Sequence, residues 1–511
     1  MTFKELLALV SSKNPPQIRT DSRLVGDGDI FVAVKGTVYD GHDFIDQAIA
    51  NGAGYIVCQH VNTQYAVRNT QYQFIVVKDS AEAAALLAQA AKGNPASRLI
   101  NLAVTGTNGK TTVTYLVRSC IQKAGEKCGL IGTVIYDTCS GGGGPEEQPE
   151  VLTQSTMTTP DCLDIAEMTD KMVGNGAKYM VIEASSHALS QNRLAGVSFK
   201  AAAFTNLTGD HLDYHKTKED YLAAKARLFQ ALSPDAVAVL NRQSPQAKLI
   251  AEQTRAKILW YAIDEPADIS AHIESMDING TIFALQYVPK SSIVNRQSSI
   301  VKTPLLGRYN VSNHLAAAGL CLAAGFDLEA ITTGLSALQG IPGRLEKISC
   351  TSHGSRATSH VLVDYAHTDD ALKNVLSTLK PLCNGKLRVV FGCGGDRDRT
   401  KRPRMARVVE QFADFIIVTS DNPRTEKPQD IIDEIISGFS RTTHDARRTT
   451  ITIEPDRKKA IELAIESAGN DDIVLIAGKG HETYQIIGKQ KFDFSDKTVA
   501  QECLRKQIRK K

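Results

Sequence analysis

The stretch Leu99-Ile100-Asn101-Leu102-Ala103-Val104-Thr105-Gly106-Thr107-Asn108-Gly109-Lys110-Thr111-Thr112 decides how the rest of this chain is read. An apolar run ends at Thr105-Gly106, a glycine-bracketed turn follows, and Val113, Leu116, Val117 and Ile121 then recur at helical spacing. The order is strand, phosphate loop, helix. Glycines let the backbone turn its N–H groups toward a polyphosphate, the lysine reaches the outer phosphates, and a hydroxyl after it ligates magnesium. The helix N-terminus adds partial positive charge. Val104 stands where a leading glycine is usual, so the loop is effectively Gly-x-x-Gly-Lys-Thr-Thr. The expectation is ATP, held by Gly106, Thr107, Asn108, Gly109, Lys110, Thr111 and Thr112.

At 511 residues the chain is too long for one core and divides into about three domains. Its 42% hydrophobic and 23% charged residues are ordinary for a soluble globular protein, and a net charge of +3 points to no polyanion such as nucleic acid. The C-terminal Arg505, Lys506, Arg509, Lys510 and Lys511 read as a solvated helix end. Ten cysteines without a C-x-x-C pair indicate neither a zinc site nor a disulfide framework, and suit a reducing compartment. Met1 to Pro16 lacks a basic start and a sustained apolar core, and no apolar run of about 18 residues occurs. A soluble, cytoplasmic protein without membrane insertion is expected.

The first hundred residues read as a small α/β unit, with strands at 29–34, 54–58 and 74–77 and a helix at 43–50. Polar loops at 20–23 and 35–42 flank one strand and can bind a ligand or simply turn the chain. A linker at 92–97 leads into the nucleotide unit, where 129–136 reads as a strand and 140–150 as an exposed Gly/Pro/Glu loop. The strand 179–183 ends in Glu183, placed beyond the sheet's carboxyl edge where an acid can hold magnesium near the loop threonine. A second strand, 201–205, delivers Asn206, Asp210, His211 and Asp213. Lys225 lies in a helix among small and apolar neighbours, and either snorkels to solvent or serves the site. Further strands are expected at 235–240 and 257–263, with Asn279-Gly280 joining 271–278 and 281–287 as a hairpin. An Ala-rich helix at 315–322 follows Asn310 and Asn313. From about 341 a second doubly wound sheet is predicted, with strands at 361–364, 387–391, 415–419, 450–453 and 473–476. Four polar clusters stand at its strand ends, at 364–367, 394–399, 421–424 and 478–482, and imply a ligand site.

With those residues assembled, the chain resembles the Mur ligases, and within them the branch that adds the third amino acid to a UDP-N-acetylmuramoyl dipeptide in peptidoglycan synthesis. The motifs are Asp21-Ser22-Arg23, Gly106 to Thr112, Thr158-Thr159-Pro160, Glu183 to His187, Lys225, Asn310 to Ala317, Gly343-Arg344, Asp364 to His367, Gly394 to Asp398, Asp421 to Arg424 and Gly478 to Glu482. The resemblance implies an α/β protein of three domains: an N-terminal UDP-binding domain (1–95), a central P-loop ATPase with a parallel sheet (96–340) and a C-terminal Rossmann-like domain for the amino acid (341–511). It implies that Thr20, Ser22, Thr37, Val38 and Tyr39 meet the uridine diphosphate, and that Thr158, Thr159, Ser185, Gln191 and Arg193 hold the sugar and peptide. Asn310, Asn313, Arg344 and Asp364 join the ATP site. Lys110, Glu183, His211, Lys225 and Arg344 are the implied catalytic set, with magnesium at Thr111, Glu183, His211 and a carbamylated Lys225. Two local departures, Ala184 for Val and Asp369 for Pro, remove no polar group.

The implied reaction activates a carboxylate as an acyl phosphate, which an amine then attacks. Specificity is expected at Asp421-Asn422-Pro423-Arg424. A guanidinium pairs with the distal carboxylate that distinguishes meso-diaminopimelate from lysine, and would meet the ammonium of lysine unfavourably. Arg424 and Asn422 are assigned that carboxylate, Arg397 the other, and Glu482 with Gly478 the distal amine. The alternatives are the same ligase with L-lysine, a folylpolyglutamate synthetase, or a non-catalytic interaction protein. The partners expected are small-molecule substrates, with the chain a monomer.

Overall fold

The apolar run ahead of the glycine loop is the strand Ile100–Thr105, and the lysine after the loop opens the helix Lys110–Lys123. The computed structural model describes residues 1–61, 72–140, 153–155, 157–209, 212–289, 296–349, 360–440 and 449–510. In it this strand lies inside an eleven-stranded sheet, parallel to Phe199–Phe204 on one side and Tyr179–Glu183 on the other. Its residues alternate between two cores. Leu102 and Val104 pack with Val113, Leu116, Leu315 and Ile331, whereas Ala103 packs with Ile165, Ala226 and Ile250. Helices therefore cover both faces, which is why Leu102, Ala103 and Val104 are apolar in succession.

Val237–Asn241 and Lys257–Ile263 extend one flank in parallel, and Cys128–Ile131 extends the other. The expected hairpin is present as Ile269–Asp277 and Gly280–Tyr287, its turn tied by the Asp277 carboxylate accepting from the N–H groups of Asn279 at 2.7 Å and Gly280 at 3.2 Å. Gln297–Thr303 adds an antiparallel strand that the sequence reading lacked.

Two expectations are corrected. The segment 129–136 is not one strand but two, Cys128–Ile131 and Ile135–Asp137, paired antiparallel. The chain reverses at Gly132-Thr133, where a side chain at 132 would run into the Glu183 carboxylate. The helix expected at 315–322 begins earlier, as Arg308–Ala323, so Asn310 and Asn313 lie within it rather than ahead of it. They are tolerated because Asn310 Nδ2 donates to the Leu306 carbonyl at 2.7 Å and its Oδ1 accepts from Asn313 Nδ2 at 3.1 Å. The loop expected at 140–150 falls almost wholly outside the described residues.

A four-stranded parallel sheet, Ile18–Arg19, Ile30–Val32, Tyr55–Cys58 and Gln73–Val76, forms the N-terminal unit. The C-terminal unit is a six-stranded sheet in the order Glu346–Ile348, His360–Asp364, Ile473–Ala477, Leu387–Phe391, Phe415–Val418, Thr450–Ile453. All but the first are parallel, and two cores again flank the sheet. The carboxyl ends of four strands therefore share one edge, bringing the polar clusters at 364–367, 394–398, 421–424 and 478–482 together. All the described cysteines but Cys383 are buried. No described helix is long and apolar enough to cross a membrane.

Candidate active site

The glycine loop is gripped from beneath by the end of the neighbouring strand. Thr205 Oγ1 donates to the Asn108 carbonyl at 2.6 Å, Asn206 Oδ1 accepts from the Asn108 N–H at 3.0 Å, and the Thr107 N–H donates to the Asn206 carbonyl at 2.9 Å. Gly106 and Gly109 have φ of +150° and +91°, and a side chain on either would collide with Thr205 or Asn313. Lys110 folds over the loop, its Nζ 2.9 Å from the carbonyls of both Gly106 and Thr107. The loop lines a cavity of about 360 Å³ together with Thr133, Glu183, Asn310, Asn313, Arg344 and Asp364.

Glu183 is fully buried at the end of its strand, and the hairpin at 132–134 exists to meet it. Its Oε1 accepts from the Thr133 N–H at 2.8 Å and its Oε2 from the Thr133 hydroxyl at 2.9 Å. Thr158 Oγ1 is 3.1 Å from the same hydroxyl, and Thr159 Oγ1 donates to the Glu183 carbonyl at 2.6 Å. Lys225 is 1% exposed, donates to the Gly106 carbonyl at 2.9 Å and stands 4.3 Å from the Tyr221 ring centre. It does not snorkel. Asp210 and His211 lie outside the described residues, as does the side chain of Asp213.

Among the described residues no group of three His, Cys, Asp or Glu side chains stands ready for a metal. Thr111 and Glu183 nonetheless line one cavity beside the loop, a hydroxyl and a carboxylate of the oxygen type that suits magnesium. Each Glu183 oxygen accepts one bond from Thr133 and retains a lone pair. The residues present fit a hard divalent cation.

The C-terminal unit reaches this cavity directly. Arg344 Nη2 donates to Thr111 Oγ1 at 3.2 Å, and the guanidinium lies 4.6 Å from the Tyr365 ring centre. Asp364 holds the arginine's turn, accepting from the N–H groups of Leu345 at 2.6 Å and Ala366 at 2.7 Å. Burial pushes the Asp364 carboxyl above its usual range, against the pull of Arg344 and those two N–H groups. Asn108 Nδ2 donates to Asp370 Oδ2 at 3.0 Å, a second bridge to the glycine loop. His481 faces the Thr133 carbonyl, and burial, with Arg344 and Lys479 nearby, pushes its pKa down to about 3. Sequence reasoning gave no role to Thr133, Asp370, Lys479 or His481, and each acts across a long chain separation.

A larger cleft of about 1020 Å³ opens beside the first and is lined by Arg397, Asp421, Asn422, Arg424, Gly478 and Glu482 among others. Arg424 has φ +51° and donates from Nη1 to the Gly395 carbonyl at 2.7 Å, so part of its fork stays available. Pro423 continues that loop, and Gly478, at φ +117°, leaves room for the Asp421 carboxylate. Arg397 is exposed, with Nη1 3.2 Å from the Asp396 carbonyl. Asn422 is largely engaged within the protein. Its Oδ1 accepts from Lys479 Nζ at 3.1 Å and from the Ile486 N–H at 3.0 Å, and its Nδ2 donates to Glu482 Oε2 at 2.9 Å. Three of its four valences are spent inside the protein, because a buried amide must be satisfied, and one N–H remains.

The residues expected to hold the acceptor nucleotide form two groups. Thr158, Thr159, Ser185, Gln191 and Arg193 are assembled in one patch: Arg193 donates to the Thr159 carbonyl at 2.8 Å and to Gln191 Oε1 at 2.6 Å, and Ser185 Oγ is 3.0 Å from Thr159 Oγ1. In the N-terminal unit Ser22 is 5% exposed and donates to Gln47 Oε1 at 2.8 Å, while Thr20 and Thr37 are exposed. Val38 and Tyr39 are 77% and 72% exposed, unusual for large apolar side chains and consistent with a ligand face. No described hydrogen bond joins the two groups. Their units meet instead where Asn192 Nδ2 donates to Asp79 Oδ2 at 2.8 Å.

Comparison with known proteins adds to this geometry. The profile of the Mur ligase family, catalytic domain, matches residues 17–92, that of the Mur ligase middle domain 104–321, and that of the Mur ligase, glutamate ligase domain, 343–480. The UDP-N-acetylmuramoyl-L-alanyl-D-glutamate--2,6-diaminopimelate ligase of Geobacillus kaustophilus is 41% identical over 494 residues, 96% of this chain and 94% of its own. The protein of that name from Gloeobacter violaceus is 40% identical over 514 residues, covering 99% and 98%. A solved structure of a ligase of the same name superposes with a TM-score of 0.63 at 34% identity, over 97% of this chain and 96% of that one. MurF from Acinetobacter baumannii, at 20% identity and a TM-score of 0.60 over 100% and 99% of the two chains, shares the fold.

Proposed function

Because this chain belongs to the Mur ligase family, we propose that it joins meso-2,6-diaminopimelate to the D-glutamyl γ-carboxylate of UDP-N-acetylmuramoyl-L-alanyl-D-glutamate. ATP is consumed to ADP and phosphate, in cytoplasmic peptidoglycan precursor synthesis. One observation carries the reading: Tyr365 and His367 line both cavities, so the phosphate loop and the Arg424–Glu482 pocket share a wall. An acyl phosphate made in one is within reach of an amine held in the other.

The γ-carboxylate of the acceptor attacks the γ-phosphorus of ATP, the bond to the bridging oxygen breaks, and ADP leaves. The incoming amine, having lost its proton, attacks the acyl carbon, and the tetrahedral adduct collapses to amide and phosphate. Phosphoryl transfer needs positioning and charge neutralisation more than covalent help. The loop amides and Lys110 hold the phosphates, and Arg344 stands against Thr111 where charge accumulates. Thr111, Glu183, His211 and Lys225 as its carbamate are the proposed magnesium set, and bound magnesium supplies positive charge to the phosphate oxygens. Asn310, Asn313 and Asp364 complete the nucleotide cavity. The Thr158–Arg193 patch holds the acceptor's sugar and peptide, with Thr20, Ser22, Thr37, Val38 and Tyr39 for the uridine diphosphate. Arg424 takes the distal carboxylate, Arg397 the other, and Glu482 with Gly478 the distal amine. One chain supplies every group named, so a monomer suffices.

The test is phosphate release with ATP, magnesium and the acceptor nucleotide, comparing meso-diaminopimelate with L-lysine. Turnover with diaminopimelate alone is the expected result. A preference for lysine would overturn the role of Arg424, and no turnover with either would overturn the ligase reading.

A further inference from the structure

Lys479 has no exposed surface, a rare position for a lysine. Gly478 before it and Gly480 after it adopt φ of +117° and +54°, and this turn throws the side chain inward. The Glu482 N–H closes the turn on the Lys479 carbonyl at 2.9 Å. Inside, Lys479 Nζ is 2.9 Å from Glu482 Oε2 and 3.1 Å from Asn422 Oδ1, and 5.5 Å from the Tyr484 ring centre. Both hydrogen bonds end on side chains that line the large cleft. Burying an ammonium is expensive unless it is paired, and these pairings tie the loop at 421–424 to the turn at 478–482.

Asn422 Nδ2 donates to the same Glu482 Oε2. One carboxylate oxygen thus receives two donors, while no described hydrogen bond reaches Oε1. A carboxylate pinned by one oxygen presents the other in a fixed direction, whereas an unpinned one rotates about its last bond.

We propose that Lys479 is a specificity-determining positioning residue: with Asn422 it pins Glu482 Oε2 so that Oε1 alone is presented to the distal ammonium of the incoming diamino acid. The inference rests on the reading of Glu482 given above. Lys479 touches no substrate and acts through Glu482.

The experiment compares meso-diaminopimelate with L-2-aminopimelate, which keeps both carboxylates and the reacting amine but lacks the distal amine. Saturating ATP and acceptor nucleotide are used on wild type, Lys479→Met, Glu482→Gln and the double variant, with ATP varied in a separate series. Losing one charge-assisted contact to the distal amine should raise KM for diaminopimelate about tenfold in Lys479→Met. Its kcat should stay within about twofold, as should kcat/KM for 2-aminopimelate and the KM for ATP. In the Glu482→Gln background the second substitution should change the preference no further. Equal losses on both substrates, or full additivity with Glu482→Gln, would overturn the proposal. A Glu482→Gln enzyme that still prefers diaminopimelate as wild type does would overturn the reading of Glu482 and this inference with it. Discrimination lost in Glu482→Gln but kept in Lys479→Met would overturn the inference alone. Should Lys479→Met fail to fold, Lys479→Gln removes the same charge and carries the same test.

Discussion

Thr133→Val removes one hydroxyl and almost no volume, and that hydroxyl is one of the two groups fixing Glu183. The other is the Thr133 N–H, 2.8 Å from Oε1, which the substitution keeps. What disappears is the 2.9 Å bond from the Thr133 hydroxyl to Oε2 of a fully buried carboxylate. A hydrogen bond to a charged group contributes about 1.5–3 kcal/mol. If that free energy is what holds Glu183 in its working orientation, kcat/KM falls about 10- to 150-fold. The assay is phosphate release across a magnesium titration, with melting temperature and ADP affinity recorded to show that the variant is folded. The magnesium concentration at half-maximal rate should rise in parallel, because Glu183 is in the proposed magnesium set. Thr133→Ser keeps the hydroxyl and should remain within about threefold of wild type. A Thr133→Val enzyme within about twofold of wild type, with an unchanged magnesium requirement, would refute the argument that the hairpin at 132–134 exists to orient Glu183.

Gly109→Ala should abolish nucleotide binding, measured as loss of the thermal shift given by ADP, because φ of +91° and the Asn313 side chain leave no room for a methyl group. Arg424→Leu should raise KM for meso-diaminopimelate about 100-fold or more while leaving KM for ATP unchanged, since it removes the proposed partner of one carboxylate. Asp370 is held above the ordinary carboxylate range, chiefly by burial, so its ionisation in the folded protein is unfavourable. That penalty is absent well below the unfolded pKa of about 4 and fully present once pH has passed the raised value. Asp370→Asn should therefore raise the melting temperature at pH 8 and leave it unchanged at pH 3, and equal shifts at both values would contradict the sign.

The glycine loop was legible because strand, turn and helix each carry a local signature within fifteen residues of one another. So were the strands Lys257–Ile263, Leu387–Phe391 and Thr450–Ile453 and the Asn279-Gly280 hairpin, whose apolar runs and turn chemistry are local. The break at Gly132-Thr133 was not, because the segment reads as one apolar run and what reverses it is Glu183, some fifty residues on. The hydrogen bonds of Asn422 were illegible for the same reason: its amide is engaged by Lys479, Glu482 and Ile486 from another turn. Lys225 stayed ambiguous until its helix was packed on the loop, where its Nζ meets the Gly106 carbonyl.

Val104 and Glu183 are register partners on adjacent parallel strands. The spacing between the start of the phosphate loop and its acidic partner is therefore a property of the backbone ladder, insensitive to side-chain drift on either strand. The residues assigned to choosing the amino acid stand on a different sheet, at the ends of Leu387–Phe391, Phe415–Val418 and Ile473–Ala477. On that assignment, substitutions in those loops would change the substrate without changing the Val104–Glu183 register, so long as His481 keeps its contact with the Thr133 carbonyl. The proposed division makes the catalytic half a fixed engine and the selective half an exchangeable head. A designer seeking a ligase for a new amine should vary residues 394–398, 421–424 and 478–482, sparing His481, and leave the eleven-stranded sheet untouched.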